Sequence, residues 1–163
     1  MVKCKKKSLE IMKLAVLLVV VLVGGVLFVG AVSGWFDDTK VVLSEEYYGD
    51  FEEFNELSAT EYEKLIEEQK SLVLLVDQGG CKTADKLRDF VSRWAEDAGI
   101  KVQKLMFSEM KETSLHDDVK YYPSVVVVSK GRVVAFLRAD SDDDAAMYND
   151  EEAFREWTRR YLK

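Results

Sequence analysis

The chain has 163 residues, 23 Lys and Arg against 30 Asp and Glu, a formal net charge of −7, 48% apolar residues, two cysteines, one histidine and one proline. That length fits one compact domain, and that apolar share excludes general disorder. Two cysteines exclude a disulfide-rich scaffold and a four-cysteine zinc site, one histidine excludes a histidine cluster, and the acidic balance argues against nucleic acid as a partner, so neither metal nor cofactor is expected.

Residues 14–36 read LAVLLVVVLVGGVLFVGAVSGWF, 23 residues without a charge. As a helix they would span about 34 Å, enough to cross a hydrocarbon core. Lipid leaves such a segment no other way to satisfy its backbone, despite the modest helix propensity of valine in water. Lys3, Lys5, Lys6, Lys7 and Lys13 precede it against Glu10 alone, and Asp37 and Asp38 follow. The lysine side is expected in the cytoplasm, with the rest of the chain outside the cell membrane and Trp35 and Phe36 at the interface. The competing reading is a cleaved signal peptide with Ala31-Val32-Ser33 as its processing site, but the apolar stretch exceeds a signal core of about 7–15 residues. The reading is therefore a single-pass signal anchor in contact with membrane lipid. The spacing of Gly30 and Gly34 resembles a helix-packing pair, but it falls at the very end of the span.

Charge divides by region. Residues 1–13 carry +4, 14–36 none, 37–57 carry −7 and 58–163 carry −4. The acids of 37–57 are interleaved with Tyr47, Tyr48, Phe51 and Phe54. The segment reads as an acidic linker repelled by anionic lipid, or as aromatics that dock on the domain or a partner.

From 58 onward the element signals are regular. Ser58 and Glu61 have capping-box spacing and open a helix through Tyr62, Leu65 and Ile66, ending near Lys70. Residues 72–76 are a continuous apolar run, as expected of a strand buried on both faces. Asp77, Gln78, Gly79 and Gly80 make a turn. A helix over 83–98 carries Ala84, Leu87, Phe90, Val91, Trp94 and Ala95 on one stripe and stops at Gly99. A strand is expected over 100–107, a short helix within 108–119, and a buried strand over 124–128. Lys130 and Gly131 form a hairpin turn into a strand over 133–137. A polar loop leads to a last helix over 151–162 through Phe154, Trp157 and Tyr161. Alternating helices and strands followed by a hairpin indicate an α/β domain, a mixed sheet flanked by helices.

Cys81 stands at the start of a helix, where unsatisfied N–H groups and the macrodipole favour a thiolate, and Lys82 adds positive charge beside it. Pro123 opens a strand, the position a proline tolerates, and the Tyr122–Pro123 bond is a candidate cis peptide. With these residues in place, LVLLVDQGGCKTADKLRDFV and YYPSVVVVSKGRVV resemble the thioredoxin-like family, over about residues 58–163. The resemblance implies a strand leading to a Cys-x-x-Cys pair at a helix start, a cis-proline facing it, a hairpin and a closing helix. This chain departs from that motif. Cys81 occupies either the first position, giving Cys81-Lys82-Thr83-Ala84, or the second, giving Gln78-Gly79-Gly80-Cys81. In the family, apolar residues recur three, six, seven and ten positions after the second cysteine. Counted from Ala84 these are Leu87, Phe90, Val91 and Trp94; counted from Cys81 they include Arg88. Helix phase therefore favours Cys81 as the nucleophile, with Ala84 in place of the resolving cysteine.

A single thiol limits the chemistry to mixed disulfides that an external thiol resolves. Cys4 lies across the predicted membrane span, where it is reduced or acylated. The resemblance also implies that Tyr122, Pro123 and Ser124 form an edge that holds an extended protein or peptide partner through backbone groups. The function expected is thiol-disulfide exchange, or mixed-disulfide handling, on exported proteins. The alternative is an inert Cys81 in a tethered, non-catalytic binding module. Asp140, Asp142, Asp144 and Glu151 match four positions of a calcium loop, but Ala145 stands where glycine is needed, so a solvated acidic loop is the simpler reading. His116 reads as a surface residue.

Overall fold

In the computed structural model, residues 40–80 and 82–163 are described. The predicted basic tail, the predicted membrane span, Cys4 and Cys81 all lie outside the described residues. Among the described residues no helix is long and apolar enough to cross a membrane. A compact unit runs Lys40–Lys163.

The elements follow the apolar pattern closely. Strand β1 is Asn55–Leu57, helix α1 Ala59–Glu67, strand β2 Leu72–Asp77 and helix α2 Lys82–Ala98. They are followed by strand β3 Gln103–Met106, the single-turn α3 Phe107–Met110, strand β4 Ser124–Ser129 and strand β5 Arg132–Phe136. Helices α4, Ala145–Asn149, and α5, Glu151–Tyr161, close the chain. The sheet has five strands in the order β1-β3-β2-β4-β5. β3 runs parallel to both β1 and β2, while β4 is antiparallel to β2 and to β5.

Burial explains why β2 and β4 are central. All six residues of β2 and the first five of β4 are buried, so both faces of these strands are covered and their Leu and Val side chains fill the core. α1 starts at the expected capping box, with the Ser58 hydroxyl accepting from the Glu61 amide and the Glu61 carboxylate accepting from the Ser58 amide at 2.8 Å. Its backbone closes earlier than expected, at Glu67, and Gln69 takes a positive φ of 56°. The apolar stripe of α2 is buried as predicted, and Trp94 meets Phe154 of α5 edge to face at 5.7 Å. Arg93 and Arg155 bridge Glu151, and Arg155 also reaches Asp97, tying α2 to α5 through charge at the rim of that contact.

Three expectations need correction. Residues 40–57 are no spacer: Val41, Leu43, Tyr47 and Leu57 are buried in the core. Val41 bridges Leu162, Tyr48 bridges Ile100, and β1 pairs with β3. The acids of this segment face solvent, with Glu56 opposite Lys104 at 2.8 Å and Glu46 on Lys70 at 2.6 Å. Of the two readings of this segment, docking of its aromatics on the domain is the one observed for Tyr47, Phe51 and Phe54, with Val41, Leu43 and Leu57 as further anchors. The strand expected over 100–107 is confined to Gln103–Met106, because Ile100 turns to Tyr48 and Phe107 begins α3. The polar loop after β5 holds a 3-10 turn, Asp142–Asp144, and α4, whose Tyr148 is buried.

The β4–β5 hairpin turns through Lys130 and Gly131, both with positive φ (49° and 73°), as a type I′ connection requires. The turn docks on the α1–β2 connection, where the Gly131 amide donates to the Lys70 carbonyl at 2.9 Å. A Cβ at Gly131 would also run into the Ile66 carbonyl oxygen. Gly131→Ala is therefore expected to destabilise the domain by about 2 kcal/mol. Gly99→Ala, at φ +62° with nothing near a new Cβ, should cost about half as much. Chemical denaturation of the two variants checks the ranking.

Candidate functional site

The antiparallel register of β2 on β4 runs from Leu72↔Val128 to Val76↔Ser124. The C-terminal end of β2 therefore lies beside the N-terminal end of β4. Gln78, Gly79 and Gly80 continue from the first as an exposed turn, with Gly80 at φ +91°, and α2 begins at Lys82. Tyr122 and Pro123 lead into the second. The topology thus brings the turn that precedes Cys81, the start of α2 and the Pro123 segment to one end of the sheet. Cys81 itself lies outside the described residues.

The Tyr122–Pro123 bond is cis, as the sequence suggested. Pro123 is buried, and its carbonyl accepts a hydrogen bond from the Tyr148 hydroxyl at 2.9 Å. Burial first, and then the nearby Asp144 and Asp140 carboxylates, push the Tyr148 phenol well above its ordinary pKa, so it stays a protonated donor. Tyr122 is half-buried and its ring tilts against Phe107 with centroids 4.6 Å apart. Tyr121 is 54% exposed. The Ser124 side chain points inward: it is fully buried, and its hydroxyl donates to the Leu137 carbonyl at 2.7 Å. Of the three residues expected at a binding edge, Tyr122 is half-buried and Pro123 and Ser124 are buried, with the Ser124 hydroxyl engaged by the hairpin.

Ala84 is buried at the first turn of α2, in phase with Leu87, Phe90, Val91 and Trp94. Lys82 is exposed. Arg88, the residue that broke the alternative helix phase, has a partner that the sequence did not disclose. Its Nη2 and Nε donate to Asp77 Oδ2 at 2.6 and 2.9 Å, and its Nη1 donates to Asp85 at 3.0 Å. Asp77 ends β2 with its side chain 4% exposed, and its Oδ1 accepts the Gln78 amide at 2.7 Å. The hydrogen bonds that Arg88 donates to Asp77 raise the guanidinium above its ordinary pKa. This ion pair spans the turn that carries Cys81, clasping the end of β2 to the second turn of α2. A carboxylate closing a buried apolar run, followed by an arginine at the border of the next helix's apolar stripe, was the available signal for it.

The remaining candidates are dispersed. His116 sits half-buried in a 3-10 turn, Ser114–Asp117, and its Nδ1 has no partner among the described residues. Asp144 accepts from the Arg138 amide and guanidinium. Glu151 is held by Arg93 and Arg155, which keep its carboxyl below the usual range. Among the described residues no three His, Cys, Asp or Glu side chains converge as a metal site would need.

The strand order, the proline at the entrance to β4 and the helix that begins beyond the Gly-Gly turn decide the architecture. The fold is thioredoxin-like. A point mutant of thioredoxin from Halobacterium salinarum aligns over 68% of this chain and 92% of its own, with TM-score 0.52 and 18% identity. Oxidised thioredoxin from Plasmodium falciparum aligns over 68% of this chain and 100% of its own, with TM-score 0.51 and 13% identity. Oxidised mitochondrial thioredoxin 3 from Saccharomyces cerevisiae covers 65% of this chain and 93% of its own at TM-score 0.50 and 15% identity. At such identities the likeness concerns the fold alone. No protein-family model and no curated protein matches the chain in sequence.

Removing one partner of the Asp77–Arg88 pair leaves a buried charge uncompensated. Arg88→Met is expected to destabilise the domain by about 3 kcal/mol, and the double variant Asp77→Asn, Arg88→Met by clearly less. Denaturation midpoints of the single and double variants test this. A double-variant loss equal to the sum of the Asp77→Asn and Arg88→Met losses would mean that the pair contributes nothing beyond its separate contacts.

Proposed function

We propose that this chain is a membrane-anchored, extracytoplasmic thioredoxin-fold protein that exchanges disulfides with exported proteins through the single thiol of Cys81. The observation that carries this reading is the Val76↔Ser124 register, which sets the turn leading to Cys81 beside the Tyr122–Pro123 segment. Helix phase supports Cys81 in the first motif position, since the residues that follow Ala84 at family spacing are the buried ones. The uncharged residues 14–36, with lysines before them and acids after, support the anchor and its orientation.

The chemistry follows from having one thiol. The Cys81 thiolate attacks one sulfur of a substrate disulfide, an S–S bond forms between them, and the other substrate cysteine leaves as a thiolate. Two electrons stay shared in one disulfide throughout, so this step is exchange without net oxidation. Ala84 offers no second thiol. Release needs attack on the substrate sulfur by another thiol, either a further cysteine of the substrate, which leaves the substrate with a rearranged disulfide, or a small-molecule thiol. Cys81 then leaves as a thiolate.

A second reading has its own observation. Ala84 is buried where the family carries a resolving cysteine, so the domain also suits a tethered binding module that has no redox turnover.

One set of thiol measurements separates these readings. In a Cys4→Ser background, the rate of Cys81 alkylation against pH is expected to report a pKa clearly below about 8.5. Non-reducing gels should show adducts that vanish in Cys81→Ala. On intact cells producing the unmodified chain, a membrane-impermeant maleimide should label Cys81 and spare Cys4. A slow thiol of ordinary pKa without adducts would favour the binding module. Labelling of Cys4 in intact cells would overturn the proposed orientation.

A further inference from the structure

A cleft of about 190 Å³ is lined by residues 118–121, which lead into the Tyr122–Pro123 segment, and by residues 136–140. The chain before β4 and the chain after β5 form its two walls. Its lining is mainly apolar, with Val119 and Tyr121 on one wall and Phe136 and Leu137 on the other. Each wall also presents a carboxylate, Asp118 and Asp140. Among the described residues neither carboxylate is engaged in an ion pair.

The two cations that also line the cleft, Lys120 and Arg138, are turned to other partners. Lys120 Nζ donates to the His116 carbonyl. Arg138 is held by Asp144 at 3.2 Å and Asp143 at 3.5 Å. Asp118 and Asp140 are the acids of the lining, and Asp117, Asp142, Asp143 and Asp144 flank it along the chain. The same field is felt inside the domain, where Asp118 helps to raise the Tyr62 phenol and Asp140 the Tyr148 phenol, both after burial.

We infer that this cleft is a side-chain pocket of the peptide-binding edge, and that it takes a lysine or arginine of an extended partner. The inference rests on the proposed binding edge at Tyr122 and Pro123, with which the cleft is continuous through Tyr121, and it names the substrate class of that edge. The apolar walls suit the aliphatic stem of a long cationic side chain. The exposed Tyr121 ring offers a face to its charged end, and Asp118 and Asp140 offer two charge-assisted acceptors. An acidic side chain at the same place would meet repulsion from both walls, so the pocket discriminates by charge in both directions.

The test uses the full chain carrying Cys81→Ser, so that no covalent step contributes. Three fluorescein-labelled nonapeptides of alternating serine and alanine, with lysine, leucine or glutamate at the centre, are titrated by fluorescence anisotropy at low ionic strength. The lysine peptide should bind about fivefold tighter than the leucine peptide, as two exposed charge contacts allow, and the glutamate peptide should bind more weakly than either. Asp118→Asn combined with Asp140→Asn should bring the lysine peptide to the leucine level and leave the leucine peptide unchanged. Both changes are at exposed positions, so the fold should survive, and an unchanged denaturation midpoint verifies it. Equal binding of the lysine and glutamate peptides, a lysine preference that persists in the double variant, or no binding by any peptide would overturn the inference. Trapping of adducts on Cys81 depends on none of these outcomes, so failure of the pocket and failure of the thiol reading are distinguishable.

Discussion

β2 and β4 lie at the middle of the sheet, and their antiparallel register is the constraint on which the site depends. Five residue pairs, from Leu72↔Val128 to Val76↔Ser124, hold it. Their side chains are buried on both faces, and each Leu or Val removed from water contributes about 2 kcal/mol. A slip by one residue would turn every one of them to the opposite face. That penalty pins the end of β2 to the start of β4. The register therefore fixes which residues share the open end of the sheet: the Gly79–Gly80 turn and the start of α2 on one side, Tyr122 and Pro123 on the other.

Polar contacts then brace that end. Asp77 caps the Gln78 amide and holds Arg88, so the turn before α2 is clasped from both sides. Tyr148 reaches from α4 to the Pro123 carbonyl, and Ser124 ties β4 to the residue after β5. These three side-chain groups are buried or nearly so, each with a partner, as polar atoms in a core must be. The turn before α2 is held by the Asp77–Arg88 salt bridge, and Ala84 packs into the apolar stripe of α2. The brace is independent of oxidation state, which suits either a monothiol exchanger or a domain that only binds.

Much of this architecture was legible in the sequence. The apolar run over 72–76 announced a central strand because nothing in it needs water. Lys130 and Gly131 announced the hairpin, and Ser58 with Glu61 marked the start of α1. Pro123 could be located at a strand entrance because a proline is poorly tolerated further in. What stayed hidden shares a physical cause. β1 is three residues long, Asn55 and Glu56 face solvent, and its pairing with β3 is made by backbone and by Leu57, so no periodicity reveals it. Residues 40–57 are dominated by acids that remain in water, while Val41, Leu43 and Tyr47 carry the burial. The Asp77–Arg88 pair joins residues on two elements, and only the fold brings them together. Nor does position alone show that the Ser124 hydroxyl serves the hairpin, by donating to the Leu137 carbonyl.

The β2–β4 register sets the turn that precedes Cys81 beside the Tyr122–Pro123 segment, and engineered cross-linking tests the proposed nearness of Cys81 to that segment most directly. Disulfides form only where Cα atoms approach within about 7 Å. In a Cys4→Ser background, Tyr122→Cys should bridge to Cys81 on mild oxidation. Val134→Cys, at an exposed position on β5, should not. Mass spectrometry of non-reduced digests reads both. A Cys81 bridge from position 122 alone is the expected result; no bridge from 122, or equal bridging from 134, would contradict the account.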